Sequence, residues 1–110
     1  MNHRESVLRY LELFCARKTE GMEQLFAPGL HFKGPLLETR SAAEYVEALQ
    51  KDPGEPCIYE VVSLFEGPGE VCCFYDLIKP EGRVTLAQLF TFSEGKIAEI
   101  LLVFDTGTFS

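Results

Sequence analysis

The second half of the chain sets the strongest constraint on its fold. Four apolar-rich segments, about Cys57 to Phe65, Val71 to Lys79, Val84 to Phe92 and Lys96 to Phe104, are separated only by Glu66-Gly67-Pro68-Gly69, Pro80-Glu81-Gly82 and Ser93-Glu94-Gly95. Joints so short and so rich in glycine and proline leave no room for crossovers and make hairpins, so an antiparallel meander is expected. A sheet of that size must bury one face, and the first half of the chain has to cover it.

That half reads as mainly helical. From Asn2 to Lys18 the residues Val7, Leu8, Leu11, Phe14 and Cys15 recur at helical spacing, and Asn2 with Glu5 forms a capping-box pattern at the start. Thr19 is placed to cap a short second helix carrying Met22, Leu25 and Phe26, stopped by Pro28-Gly29. Leu30 to Lys33 alternates as a short strand ended by Gly34-Pro35. Ser41 and Glu44 repeat the capping pattern before a third helix with Ala42, Tyr45, Val46 and Leu49 on one face, ended by Pro53-Gly54. The expected class is α+β: three N-terminal helices packed on a curved antiparallel sheet, in a single domain spanning 1–110. A chain of 110 residues supports one core of this kind.

Charge narrows the partners. Ten Lys and Arg against seventeen Asp and Glu give a net charge of -7, which repels nucleic-acid phosphates and anionic membrane surfaces alike. No stretch approaches the roughly 18 apolar residues of a membrane helix, and Met1 to Ser6 opens no signal-type apolar run, so a cytoplasmic protein is expected. The cysteines are Cys15, Cys57, Cys72 and Cys73, with no C-x-x-C pair, and His3 and His31 are the only histidines. Reduced thiols and no metal site are expected. Cys72 and Cys73 leave opposite faces of a strand and should not bond to each other. No nucleotide or flavin motif is present, so no cofactor is expected.

The order helix, short helix, strand, helix and four strands, with "VLRYLELF", "LFAPGLHFKGP" and "AQLFTFSEGKIAEILLVFD", resembles the nuclear transport factor 2-like superfamily, in particular its SnoaL-like branch. The resemblance implies a cone with a pocket between helices and sheet, and dimerisation through the outer sheet face. Tyr75, Leu77 and Leu89 are the expected apolar members of that dimer face. Its members range from isomerases, dehydratases, cyclases and epoxide hydrolases to non-enzymatic binding domains, so the fold leaves function open.

Candidate site residues follow from register. If both Gly-ending loops have three residues, Lys79 faces Arg83 and Phe92 faces Lys96. Asp76 then lies opposite Leu86, Phe74 opposite Gln88 and Gln88 opposite Ile100, which puts Asp76 and Gln88 in an apolar, helix-covered concavity. A two-residue first turn would instead put Tyr75 and Leu77 beside Gln88. Tyr10, at the edge of the first helix's stripe, can offer these groups a phenol, and Phe14, Phe32, Tyr45, Phe74, Phe90 and Phe104 are the apolar lining. In ketosteroid isomerase a first-helix Tyr and a protonated late-strand Asp hold an oxyanion. The resemblance matches Tyr10 to that Tyr and Gln88 to that Asp, but the position of the isomerase's base holds Gly34, with Glu38 four residues on. Asp76, its pKa raised by burial, is the remaining proton carrier.

The reading favoured by the missing base is a small-molecule-binding domain, not a standard ketosteroid isomerase, whose apolar pocket carries a few polar groups. The alternative is an isomerase, dehydratase or cyclase acting on a small apolar carbonyl compound, with Tyr10 and Gln88 on its oxygen and Asp76 moving the proton.

Overall fold

In a computed structural model, which describes residues 1–109, the chain folds as two helices against one six-stranded sheet. Helix α1, His3–Cys15, starts at the expected capping box: the Asn2 side chain accepts from the Glu5 N–H at 2.8 Å, and the Glu5 carboxylate accepts from the Asn2 N–H at 3.0 Å. It ends in a Schellman motif, with the Lys18 N–H donating to Leu13 O at 2.9 Å and the Arg17 N–H to Phe14 O at 3.1 Å. Arg17 adopts φ 59° at the position of that motif which favours glycine. Helix α2, Ala42–Lys51, is capped by Ser41, whose hydroxyl accepts from the Glu44 N–H at 3.1 Å.

The strands are β1 Phe26–Lys33, β2 Glu38–Thr39, β3 Ile58–Gly67, β4 Glu70–Lys79, β5 Gly82–Ser93 and β6 Lys96–Val103. Their order is β2-β1-β6-β5-β4-β3. From β3 to β6 the expected antiparallel meander is present. The helices cover one face, and Val7, Leu11, Leu30, Val71, Phe90, Ile97 and Ile100 make the centre of the core. The Cys57 N–H donates to Cys15 O at 2.9 Å and pins the approach to β3 against the end of α1.

Three expectations are corrected. The second helix is only a 3-10 turn, Glu23–Leu25, because Phe26 already enters β1 and Pro28-Gly29 lies inside that strand at an irregularity of its pairing. The sheet is mixed, not antiparallel throughout: β1 runs parallel to β6, and β2 adds a short antiparallel edge strand beside β1. The hairpin registers also differ. Glu94 and Gly95, at φ 51° and 80°, close a two-residue turn with Ser93 opposite Lys96. A bulge then sets Gln88 opposite Leu102 instead of Ile100, a shift of two that keeps Ile100 and Leu102 on their expected face, while Ile97, not Lys96, lies opposite Phe92 and is fully buried.

The first hairpin has the larger consequence. Pro80-Glu81 is the whole turn and Gly82, at φ 147°, opens β5 opposite Lys79. Gln88 therefore faces Cys73, Leu86 faces Tyr75 and Thr85 faces Asp76. A register shift of one residue exchanges the faces of a strand. Tyr75 and Leu77 point into the core at 2% and 5% exposure, whereas Phe74 is 41% exposed on the outer face.

Candidate functional site

A cavity of about 350 Å³ opens between α1, α2, the Gly34–Leu37 loop and the concave side of β4, β5 and β6. Phe32, Leu77, Leu86, Leu102 and Phe104 give it apolar walls. Its polar end is built by two helices and a strand. Tyr10 from α1 and Tyr45 from α2 meet hydroxyl to hydroxyl at 2.5 Å, and Gln88 of β5 hydrogen-bonds the Tyr10 phenol. Aromatic packing fixes both rings: Tyr45 stacks on Phe32 with centroids 4.4 Å apart, and Tyr10 meets Phe90 edge to face at 5.5 Å. Burial pushes the Tyr10 phenol up to about 12, and hydrogen bonds from Tyr45 and Gln88 offset part of that rise. Burial also holds Tyr45 and Tyr75 well above the ordinary phenol range. These hydroxyls keep their protons at any physiological pH and serve as neutral hydrogen-bonding groups. Gln88, 2% exposed, keeps one buried carbonyl oxygen without a hydrogen-bond partner.

The sequence-predicted residues divide between the two faces. Tyr10, Phe14, Phe32, Tyr45, Gln88 and Phe104 line the cavity. Phe90 is fully buried against Tyr10 in the core and is not among the lining residues. Phe74 and Asp76 are on the opposite side of the sheet, a direct result of the two-residue first turn. Asp76 accepts from the Thr85 hydroxyl at 2.6 Å and from Arg83 Nη1 at 3.1 Å, so it is paired on the outer face instead of isolated in an apolar pocket.

Gly34, where the resemblance puts a catalytic carboxylate, lines the cavity with no side chain, and a Cβ there would lie 3.3 Å from Phe32 Cε1. Glu38 is engaged elsewhere: it pairs with His31 at 2.6 Å and Arg40 at 3.1 Å on the surface, and the His31 contact lowers its pKa.

A smaller adjoining cavity of about 200 Å³ shares Phe14, Arg17 and Leu49 with the larger one. All four cysteines are free. Burial pushes the Cys15 thiol up to about 12, reinforced by its hydrogen bond with Cys57. Among the described residues no group of three or more His, Cys, Asp and Glu is placed to hold a metal ion. No helix among them is long and apolar enough to cross a membrane.

The model of the SnoaL-like domain family matches residues 7–100. The chain belongs to this family. No curated protein matches the SnoaL-like chain in sequence, but solved structures share its fold. An NTF2-like protein of unknown function from Cytophaga hutchinsonii ATCC 33406 aligns over 97% of this chain and 94% of its own at 20% identity, with a TM-score of 0.81. A second, from Burkholderia pseudomallei K96243, aligns over 99% and 95% at 14% identity and a TM-score of 0.82. TerC, co-crystallised with polyporic acid, aligns over 96% and 92% at 20% identity and a TM-score of 0.77.

Within this SnoaL-like frame, the sequence reading missed Arg17, Lys79 and the Pro35–Leu37 wall as lining elements. Tyr75 and Leu77 were reachable only through the two-residue turn, which Pro80 does not signal, because its fixed φ is incompatible with the turns that two-residue hairpins favour. The corrected place of Asp76 reverses the effect expected of its mutation. A pocket carboxyl would gain from Asp76→Asn near neutral pH, whereas the paired one loses charge-assisted bonds to Arg83 and Thr85. Asp76→Asn should lower stability by about 1–2 kcal/mol in urea denaturation at neutral pH. An unchanged or raised midpoint would show that the Arg83 and Thr85 contacts contribute nothing.

Proposed function

We propose that this SnoaL-like domain binds a small, mostly apolar molecule, with an oxygen of that molecule held at the Tyr10, Tyr45 and Gln88 end of the cavity. The observation that carries this reading is the chemistry of the lining. Among its described residues are aliphatic and aromatic side chains, three tyrosines whose phenols stay protonated, Gln88, and the cations Arg17 and Lys79, but no Asp, Glu or His. Such a cavity can desolvate and orient a ligand, yet no lining group is a carboxylate or imidazole able to take a proton from carbon near neutral pH. The acid/base reading finds no support there, since its proton carrier Asp76 faces the other way. TerC, of the same fold, was crystallised with polyporic acid, which supports an organic molecule as the occupant.

The test is saturable stabilisation without turnover. N-phenyl-1-naphthylamine, an apolar fluorescent probe, should raise the melting temperature of the native protein. Leu86→Trp, which fills the cavity, should remove the effect. A probe effect that survives Leu86→Trp places binding elsewhere and defeats the proposal.

We also propose a homodimer through the outer sheet face, with a corrected set of residues. Tyr75 and Leu77 are interior, so they cannot contribute. The outer face instead aligns Phe65, Cys72, Leu89 and Leu101 in one row and Phe74, Ala87 and Val103 in the next. Phe65, Phe74, Leu101 and Val103 are 60%, 41%, 43% and 56% exposed, an apolar patch that a second copy would cover. Leu101→Glu, a charge at the β6 side of that patch, should weaken association by about 100-fold or more in analytical ultracentrifugation. A native protein that stays monomeric at micromolar concentration removes the dimer.

A further inference from the structure

Resting on the reading of the larger cavity as a small-molecule site, we propose that its ligand is an organic anion, an apolar body bearing one acidic group whose charge is received by Arg17 at the cavity rim. The sign of the lining is the first reason. Acidic residues outnumber basic ones by seventeen to ten, yet the charged residues lining this cavity are Arg17 and Lys79, and the adjoining cavity adds Lys18, again with no carboxylate among the described lining. A chain with net charge -7 has concentrated cations where its apolar surface is concave.

The second reason is how Arg17 is held. Its Nε donates to Glu55 O at 2.8 Å, its Cζ lies 4.7 Å over the Phe14 ring, and one terminal nitrogen is 4.0 Å from Cys57 Sγ. Arg9, Arg40 and Arg83 each lie against a carboxylate, but among the described residues none is within ion-pair distance of Arg17. The guanidinium is therefore oriented by a carbonyl and a ring while its charge stays uncompensated beside an apolar cavity. A planar fork of this kind, fixed in advance, suits carboxylate or sulfonate oxygens.

Backbone conformation is the third reason. Arg17 occupies the left-handed position of the α1 terminus, φ 59°, where glycine is the residue without steric cost. A long side chain kept at a strained position points to a use for that side chain. The same cavity offers the protonated Tyr10 phenol and the Gln88 amide, which suit a neutral oxygen. The ligand then has an acidic group at Arg17, an apolar body against Phe32, Leu77, Leu86 and Leu102, and an oxygen at Tyr10.

Two probes that share an aromatic body separate charge from apolar binding: 1-anilinonaphthalene-8-sulfonate and the neutral N-phenyl-1-naphthylamine. The chain contains no Trp, so an indole introduced by Leu37→Trp at the cavity rim reports bound probe by energy transfer, and a signal that Leu101→Glu leaves unchanged does not come from probe on the outer sheet face. The sulfonate should bind about tenfold more tightly than the neutral probe, and added salt should narrow the gap. Arg17→Gln should abolish the preference while the neutral probe changes by less than about twofold. Arg17→Gly should do the same and, because it relieves the left-handed strain, melt within about 4 °C of the native protein.

Equal affinities in the native protein, or a preference that persists in both Arg17 variants, overturn the anion inference and leave the cavity reading standing. If neither probe accepts energy from the introduced indole, the cavity reading itself fails. If Arg17 were only a peg between α1 and the loop before β3, its variants would weaken both probes equally and lower the melting temperature together, which also overturns the inference.

Discussion

Raising the pH past 10 should unfold this protein before pH 12, with phenolate absorbance appearing together with the loss of structure. All four tyrosines have folded-state pKa values above the ordinary phenol value of 10.0, Tyr10 at about 12, and burial is the first cause for each. A phenol with a raised folded-state pKa keeps its proton longer in the folded chain than in the unfolded one. Its contribution to stability is thus complete below pH 10 and declines as pH rises from 10 through the folded value. Two units correspond to about 3 kcal/mol for one fully buried group. Tyr45 and Tyr75, held above the phenol range by the same burial, act in the same direction, against a small-domain stability of about 5–15 kcal/mol. Cys15 and Cys73, raised by burial to about 12 and about 11, act in the same direction.

A spectrophotometric titration read beside circular dichroism checks this. Tyrosinates that form near pH 10 in a chain whose secondary structure is intact would mean that the phenols of the cavity end are open to solvent. Tyr10→Phe should move the alkaline midpoint upward, since it removes one proton that the folded state must otherwise release.

Local signals and long-range ones were unequally legible in this sequence. Asn2 with Glu5, and Ser41 with Glu44, mark helix starts because the capping groups lie three residues apart, so α1 and α2 could be placed before any packing was known. Tyr10, Phe14 and Tyr45 followed from the faces of those helices, and Gln88 and Phe104 from the strands near the end of the chain. Asp76 and Phe74 did not follow, because their face depends on whether Gly82 closes the turn or opens β5, a choice of one residue that reverses all of β4. The pairing of β1 with β6 joins segments far apart in the chain and has no local mark. Arg17 was hidden for a different reason. Its importance comes from a left-handed helix end beside two cavities, and the only cue in the sequence is a basic pair following the apolar stripe, which equally marks any helix C-terminus.

Truncating Tyr45 should be among the most damaging single changes to the fold, and comparing two substitutions there separates its packing from its hydroxyl. Tyr45 is 1% exposed, stacked on Phe32 and tilted 5.8 Å from Phe26, so it ties α2 to β1 at the wall of the cavity. Tyr45→Ala removes that ring from a packed site and should cost about 3–5 kcal/mol in urea denaturation. Tyr45→Phe keeps the ring, loses only the bond to Tyr10 and should cost about 1 kcal/mol. The hydroxyl has a second effect, because the Tyr45 bond pulls the Tyr10 pKa down against burial. In Tyr45→Phe the remaining Tyr10 phenol should titrate at still higher pH, although the protein is slightly less stable near neutrality. Tyr45→Ala also leaves a ring-shaped space joined to the cavity, so p-cresol at millimolar concentration should raise the melting temperature of this variant more than that of the native protein. A cost below about 1 kcal/mol for Tyr45→Ala, with no response to p-cresol, would mean that α2 is not packed as a cavity wall.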